Sequence, residues 1–178
     1  MKKQLDIVEL LRHSRHDWLN KLQLIKGNIE LDNLDRVKEI IEEMVFEAEY
    51  EAKLSNLKLP SLAAYLMTYN WESHKVFIEY EVLGEVQDLS KYDRSMINWT
   101  KSLIELLENS VHPNGNHHLN ISIDIRNNDV RFFFDFRGII SETDKITLWV
   151  KNNNSEEQIS ITDYDLHTTE MSLEVSLL

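Results

Sequence analysis

An imidazole held in the middle of an amphipathic helix is a nucleophile on a rigid arm, and His16 has that setting. It lies within Leu11-Arg12-His13-Ser14-Arg15-His16-Asp17-Trp18-Leu19-Asn20. Ile7, Leu11, Ser14, Trp18, Leu22, Ile25 and Ile29 recur at the spacing of one helical stripe. On the opposite side fall Glu9, Arg12, His13, His16, Asn20, Gln23 and Gly27. The spacing therefore puts Trp18 in a core and His16 in water, within a row of hydrogen-bonding groups. Free imidazole titrates at roughly 6.5, so most of it is neutral and nucleophilic near neutrality. Glycine at position 27 costs a helix roughly 1 kcal/mol relative to alanine. A bare patch there instead lets another protein's backbone come close.

The run Arg15-His16-Asp17-x-x-Asn20-Lys21-Leu22-Gln23 resembles the phospho-acceptor helix of two-component histidine kinases. It is more closely similar to that of the sporulation-initiation phosphotransferases and the sensor kinases related to them. The resemblance implies that His16 is phosphorylated, and that it stands in a relay. A response regulator passes phosphate from its aspartate to His16, and His16 passes it to the aspartate of a second regulator, a transcription factor for sporulation. Asp17, or Glu9, would hydrogen-bond one imidazole nitrogen and choose the tautomer. Asn20 and Gln23 would meet the partner's loops around its aspartate, and Arg15 and Lys21 would attract its acidic pocket. Arg12, His13 and Gly27 would share that contact. The stripe holds few carboxylates, so no metal or other cofactor is expected on this chain, and magnesium is expected to come with the regulator.

Bulk properties narrow the alternatives. A chain of 178 residues, 42% of them hydrophobic, holds one ordinary domain or a small one with a helical appendage. A net charge of −12 argues against a nucleic-acid partner, because phosphate backbones demand a Lys/Arg face. Without cysteine there are no disulfides or thiolate zinc sites. No run approaches the roughly 20 apolar residues that cross a bilayer, and Met1 to Leu11 are followed by Arg and His rather than a cleavage site. The expected compartment is the cytoplasm, with no membrane partner.

Two elements must position His16. The first helix is expected from about Leu5 to Glu30. The second, capped by Asp32 or Asn33 with Asp35 near its positive end, carries Leu34, Val37, Ile40, Ile41, Met44, Val45, Ala48 and Ala52. A short connection makes the two antiparallel neighbours. Such a hairpin, residues 1–57, cannot bury its stripes alone, and a homodimer forming a four-helix bundle is the cheapest remedy.

Residues 58–178 read as an α+β domain with helices on one face of a mostly antiparallel sheet. Pro60 opens a third helix through Leu62, Leu66 and Tyr69. Val76, Ile78, Tyr80 and Val82 alternate as a strand. Ser90 with Asp93 forms a capping box for a helix through Val111, stopped by Pro113-Asn114-Gly115. A hairpin follows, Leu119 to Ile125 and Val130 to Phe136, turning at Asn127-Asn128-Asp129. Ser141 with Asp144 opens another helix, and strands at Ile159–Ile161 and Met171–Leu177 end the chain. His117 and His118, adjacent on a strand, point to opposite faces and receive no role.

This order resembles the ATP-binding domain of histidine kinases, and Glu105-Leu106-Leu107-x-Asn109 matches the segment whose asparagine holds magnesium on ATP in that family. The glycine cradles for phosphate are missing. Where the family has D-x-G-x-G, this chain reads Asp135-Phe136-Arg137-Gly138-Ile139, and no later glycine exists. The domain is therefore expected to be a degenerate kinase-like sandwich, with Glu105 and Asn109 as a vestige. Two other functions are consistent with the residues: an autophosphorylating sensor kinase fragment, and a non-catalytic module that binds a regulator or kinase.

Overall fold

The computed structural model describes residues 7–126, 129–156 and 158–178. The expected helix start at Leu5, and Asn127 and Asn128 of the expected turn, lie outside the described residues. The chain forms two compact units, Met1–Glu49 and Tyr50–Leu178.

The first unit is a helical hairpin. Helix α1 spans Ile7–Glu30, and α2, which begins in this unit, spans Leu34–Asn56. Asparagines build the turn: the Asn33 N–H donates to the Asn28 carbonyl at 2.9 Å, and Asn33 Oδ1 accepts the Arg36 N–H at 3.5 Å. Asn33 is thus the cap of α2, while Asp32 takes the left-handed conformation at φ 55°. Lys21 pairs with Glu47, tying α1 to α2. Val37 and Ile40 are buried, but no described residue of α1 is. Trp18, expected in a core, is 54% exposed. One hairpin has no second layer of helices to cover that side, so the stripe that the spacing predicts stays bare.

The second unit takes the end of α2, whose Leu54 is wholly buried, and adds α3 (Pro60–Tyr69), α4 (Asp93–Ser110) and α5 (Thr143–Asn152). Six strands complete it: β1 (Val76–Gly84), β2 (His117–Arg126), β3 (Asp129–Arg137), β4 (Ser155–Glu156), β5 (Ile159–Leu166) and β6 (Glu170–Leu177). Their spatial order is β1-β2-β3-β6-β5-β4. Strands β1 and β2 are parallel, because α4 crosses between them; the other pairs are antiparallel. Alternation sends Ile78, Val82, Ile121, Ile123, Phe132, Phe134, Leu173 and Val175 into the core. Met96, Leu103 and Leu107 of α4 are buried in the same core, and Trp99 meets Phe134 and Trp149 at 5.2 Å each.

The expected capping box fails. Ser90–Tyr92 is a short 3₁₀ turn, and α4 starts at Asp93 without a side-chain cap. The Asp93 carboxylate instead accepts the N–H groups of Ser61 (3.0 Å) and Leu62 (3.2 Å), capping α3 from a distance in sequence. Helix α5 likewise opens at Thr143 with no side-chain cap. Glu108 joins three elements: Oε1 accepts the Tyr69 hydroxyl at 3.0 Å and the Val76 N–H at 2.8 Å, and Oε2 accepts the Lys75 N–H at 3.2 Å.

Candidate functional site

His16 stands in the middle of α1 with 71% of its side chain exposed, as its position opposite the apolar stripe predicts. Its contacts run through Nδ1. The Asn20 amide nitrogen lies 3.2 Å from Nδ1, one turn on, and Asp17 Oδ1 lies at 3.6 Å, beyond a hydrogen bond. The side chain nearest the imidazole is therefore Asn20, which the sequence reading gave to the partner, and not Asp17. Glu9 is elsewhere engaged, 3.5 Å from Arg12. The i, i+4 spacing from His16 to Asn20 was the available signal, since such pairs meet on one helix face.

With the amide nitrogen donating, Nδ1 accepts and Nε2 carries the proton. A half-turn of the same amide offers Oδ1 to an Nδ1–H and leaves the Nε2 lone pair free. In either arrangement Nδ1 is screened and Nε2 takes no hydrogen bond among the described residues. The ring is thus held by one edge and presented by the other.

The other residues of α1 expected at the partner contact divide into two groups. Arg15 and Gln23 are exposed on α1, and His13 is half-buried. A Cβ added to Gly27 would meet nothing within 4 Å, so packing inside the chain does not demand glycine there. Lys21 and Arg12 differ: their charges are already paired, with Glu47 and Glu9. Among the described residues no cluster of three or more histidines and carboxylates could hold a metal ion. No described helix is long and apolar enough to cross a membrane.

Glu105 and Asn109 are exposed on α4 in the second unit. The Asn109 amide donates to the Glu105 carbonyl at 2.7 Å, a bond within its own helix. At the degenerate glycine motif the chain closes on itself. A Cβ on Gly138 would lie 2.3 Å from His117 Nδ1 and 2.8 Å from the Phe136 ring. His117 is buried there, accepting the Ile139 N–H on Nδ1 at 3.3 Å and donating from Nε2 to the His112 carbonyl at 2.8 Å. Gly138 is explained by this packing, and His117, given no role from sequence, is a structural bridge.

Comparison with known proteins places these features. Residues 1–57 match the family described as the sensor kinase SpoOB-type alpha-helical domain, and residues 58–178 the C-terminal domain of sporulation initiation phosphotransferase B. The sporulation initiation phosphotransferase B of Bacillus subtilis (strain 168) is 41% identical over 177 residues, which cover 97% of this chain and 90% of that protein. Among solved structures, a bacterial phosphotransferase aligns over 98% of both chains at 11% identity and a TM-score of 0.38. The Acinetobacter baumannii histidine kinase AdeS aligns over 91% of this chain and 96% of its own at 11% identity and a TM-score of 0.38. With both of its parts matched and a relative this similar along nearly its whole length, the chain belongs to the sporulation initiation phosphotransferase B family.

Proposed function

We propose that this phosphotransferase receives a phosphoryl group on His16 from the aspartate of one response regulator and delivers it to the aspartate of a second, in a cytoplasmic relay that starts sporulation. The observation that carries the reading is the presentation of His16, mid-helix, in water, with Nδ1 screened and Nε2 outward. In the first step, with the proton on Nδ1 and donated to Asn20 Oδ1, the Nε2 lone pair attacks phosphorus, the N–P bond forms, and the bond from phosphorus to the donor's carboxylate oxygen breaks. The second step is its reverse on the acceptor's carboxylate. Rigid placement on α1 supplies alignment. Gln23 and the bare surface at Gly27 face a docking regulator on the same stripe, with Arg12 and His13 beside them and Arg15 on its flank. Lys21, farther round the helix, acts chiefly to hold α1 on α2. The magnesium of the reaction belongs with the regulator, since Asp17 is the one carboxylate beside the imidazole among the described residues.

The bare stripe supports pairing with a second copy through residues 1–57. Leu11, Trp18, Leu22, Ile41, Val45 and Phe46 are all exposed in the single chain, and a four-helix bundle would bury them. Glu105 and Asn109 are read as a vestige of a nucleotide site, because the glycine cradles are gone. Incubating the pure protein with ATP, with and without a phosphorylated response regulator, tests the whole reading. Acid-labile phosphate should appear only with the phosphorylated regulator, and His16→Gln should abolish it. Labelling by ATP alone would instead identify a sensor kinase fragment. Regulator binding that never transfers phosphate would identify a binding module.

A further inference from the structure

The sheet of the second unit treats its two edges differently. A strand at an edge exposes backbone N–H and C=O groups that another strand can pair with. At the β1 edge side chains close these groups. The Asn70 amide donates to the Ile78 carbonyl at 2.6 Å and accepts the Ile78 N–H at 3.1 Å, imitating a neighbouring strand. Glu108 takes the Val76 N–H at 2.8 Å, and Lys53 Nζ donates to the Val82 carbonyl at 3.3 Å.

The opposite edge is open over part of its length. Strand β4 pairs with β5 only at Ile159 and Ser160, and the Ile161 N–H is taken by the Asn154 carbonyl. The register of β5 shifts between Ile161 and Asp163, and β5 continues to Leu166 with β6 on its inner side. The His167 N–H bonds the Glu170 carbonyl, so alternation along the ladder turns the backbone groups of Tyr164 and Leu166 outward. No described residue takes them. Beside them lies a crevice of about 660 Å³ lined by Thr143 and Thr147 of α5 and by Tyr164 to Thr168. The turn beyond is fixed, since the carbonyls of Thr168 and Thr169 accept the N–H groups of Ile140 and Gly138 at 2.8 and 2.9 Å.

The two faces of this edge differ in chemistry. Asp163 and Asp165 pair in register with Glu174 and Ser172 on the outer face, and every charged residue of β5 is acidic. Tyr164 and Leu166 pair with the buried Leu173 and Met171, on the side of the helices. A strand laid along β5 would therefore put alternate side chains over two carboxylates and the others into the crevice.

We propose that the Asp163–Leu166 edge of β5 is a docking site for an extended peptide segment of a partner protein, one alternating basic with apolar residues and adding a strand to the sheet. Basic side chains meet Asp163 and, in competition with His167 Nε2 at 3.2 Å, Asp165; apolar ones enter the crevice beside Tyr164 and Leu166. Sequence alternation in the ligand, and not its net charge, is what this geometry selects.

The probe is an N-acetylated hexapeptide of alternating lysine and valine, titrated into the full chain with affinity read by fluorescence anisotropy and backbone protection by hydrogen exchange. The expected result is saturable binding with exchange slowed at the Tyr164 and Leu166 amides and unchanged at Ile78. A peptide of the same charge with proline at its centre should lose most of the affinity, because it lacks a donor for the ladder. The double variant Asp163→Asn, Asp165→Asn, with its fold checked by circular dichroism, should weaken binding about tenfold. Equal binding of the proline peptide would reduce the effect to charge attraction and overturn the proposal. No binding, protection at β1, or slowed exchange at β5 without peptide because a second copy covers it would overturn it as well.

Discussion

Replacing Asn20 with alanine separates two roles for the residue that stands closest to the proposed phospho-acceptor. The bond from its amide to His16 Nδ1 is 3.2 Å long, between neutral groups, and 71% of the imidazole is exposed. A hydrogen bond of that kind contributes about 0.5–1 kcal/mol. If it orients the ring for attack, Asn20→Ala lowers the rate of phosphoryl transfer at saturating regulator about two- to fivefold. Stability should move the other way. Alanine is the better helix former, by roughly 0.5 kcal/mol, and among the described residues Asn20 makes no bond that holds the hairpin together. The assay is single-turnover transfer from a phosphorylated regulator over a range of regulator concentrations, beside thermal unfolding by circular dichroism. A slower saturated rate in a protein at least as stable as wild type is the expected outcome. A saturated rate left unchanged, with the whole loss in regulator affinity, would refute positioning and return Asn20 to the role of partner contact.

Other predictions concern the scaffold. Glu108→Ala strands the Tyr69 hydroxyl and the Val76 N–H, and should cost about 2–4 kcal/mol by urea titration of tryptophan fluorescence; Glu108→Gln, which keeps an acceptor, should cost less. Lys58 sits just past α2 at φ 60°, so Lys58→Gly should stabilise the protein by about 0.5–1 kcal/mol in the same titration. Burial first, and then the charge of Glu108, push the Tyr69 hydroxyl above the ordinary tyrosine range, and burial with Glu105 and Glu108 does the same to Tyr65. The folded chain keeps these protons after the unfolded chain has lost them. Their contribution to stability is thus complete below a pH of about 10 and is lost above it, which alkaline unfolding followed against tyrosinate absorbance will show.

What was legible in the sequence is what local periodicity controls. The alternation of Ile121, Ile123 and Ile125 against Val130, Phe132 and Phe134 gives a hairpin with one buried face, and the structure pairs those residues in register. Asn33 reads as a cap from its place before an apolar stripe, and it is one. The order in which β6 inserts between β3 and β5 left no such trace, because pairing across the sheet is decided by the shape of the whole core. Strand β4, two residues long, has no period to detect. The capping box failed for a related reason. Ser90 and Asp93 have the right types at the right spacing, but α3 offers the Asp93 carboxylate two orphan N–H groups, and a local rule cannot see a competitor about thirty residues away.

The candidate site was legible in the same measure. The exposure of its central residue follows from period: the side of α1 that carries no apolar stripe must face water, and His16 is there; its choice among the exposed residues comes from the resemblance of the run Arg15 to Gln23. Which neighbour touches the ring does not follow from period, since Asp17 and Asn20 both lie within a turn. Side-chain direction on the helix decides it, bringing i+4 onto the imidazole and carrying i+1 about 100° away. Charge at Lys21 and Arg12 was equally invisible as pairing, because Glu47 belongs to the facing helix and Glu9 could have pointed elsewhere. Of the two arginines near His16, Arg15, on the flank of this stripe, has no ion pair among the described residues, so a regulator drawn by charge must approach from that side of His16. Arg15→Ala should therefore slow association with the regulator most at low salt, and leave the saturated transfer rate as it is.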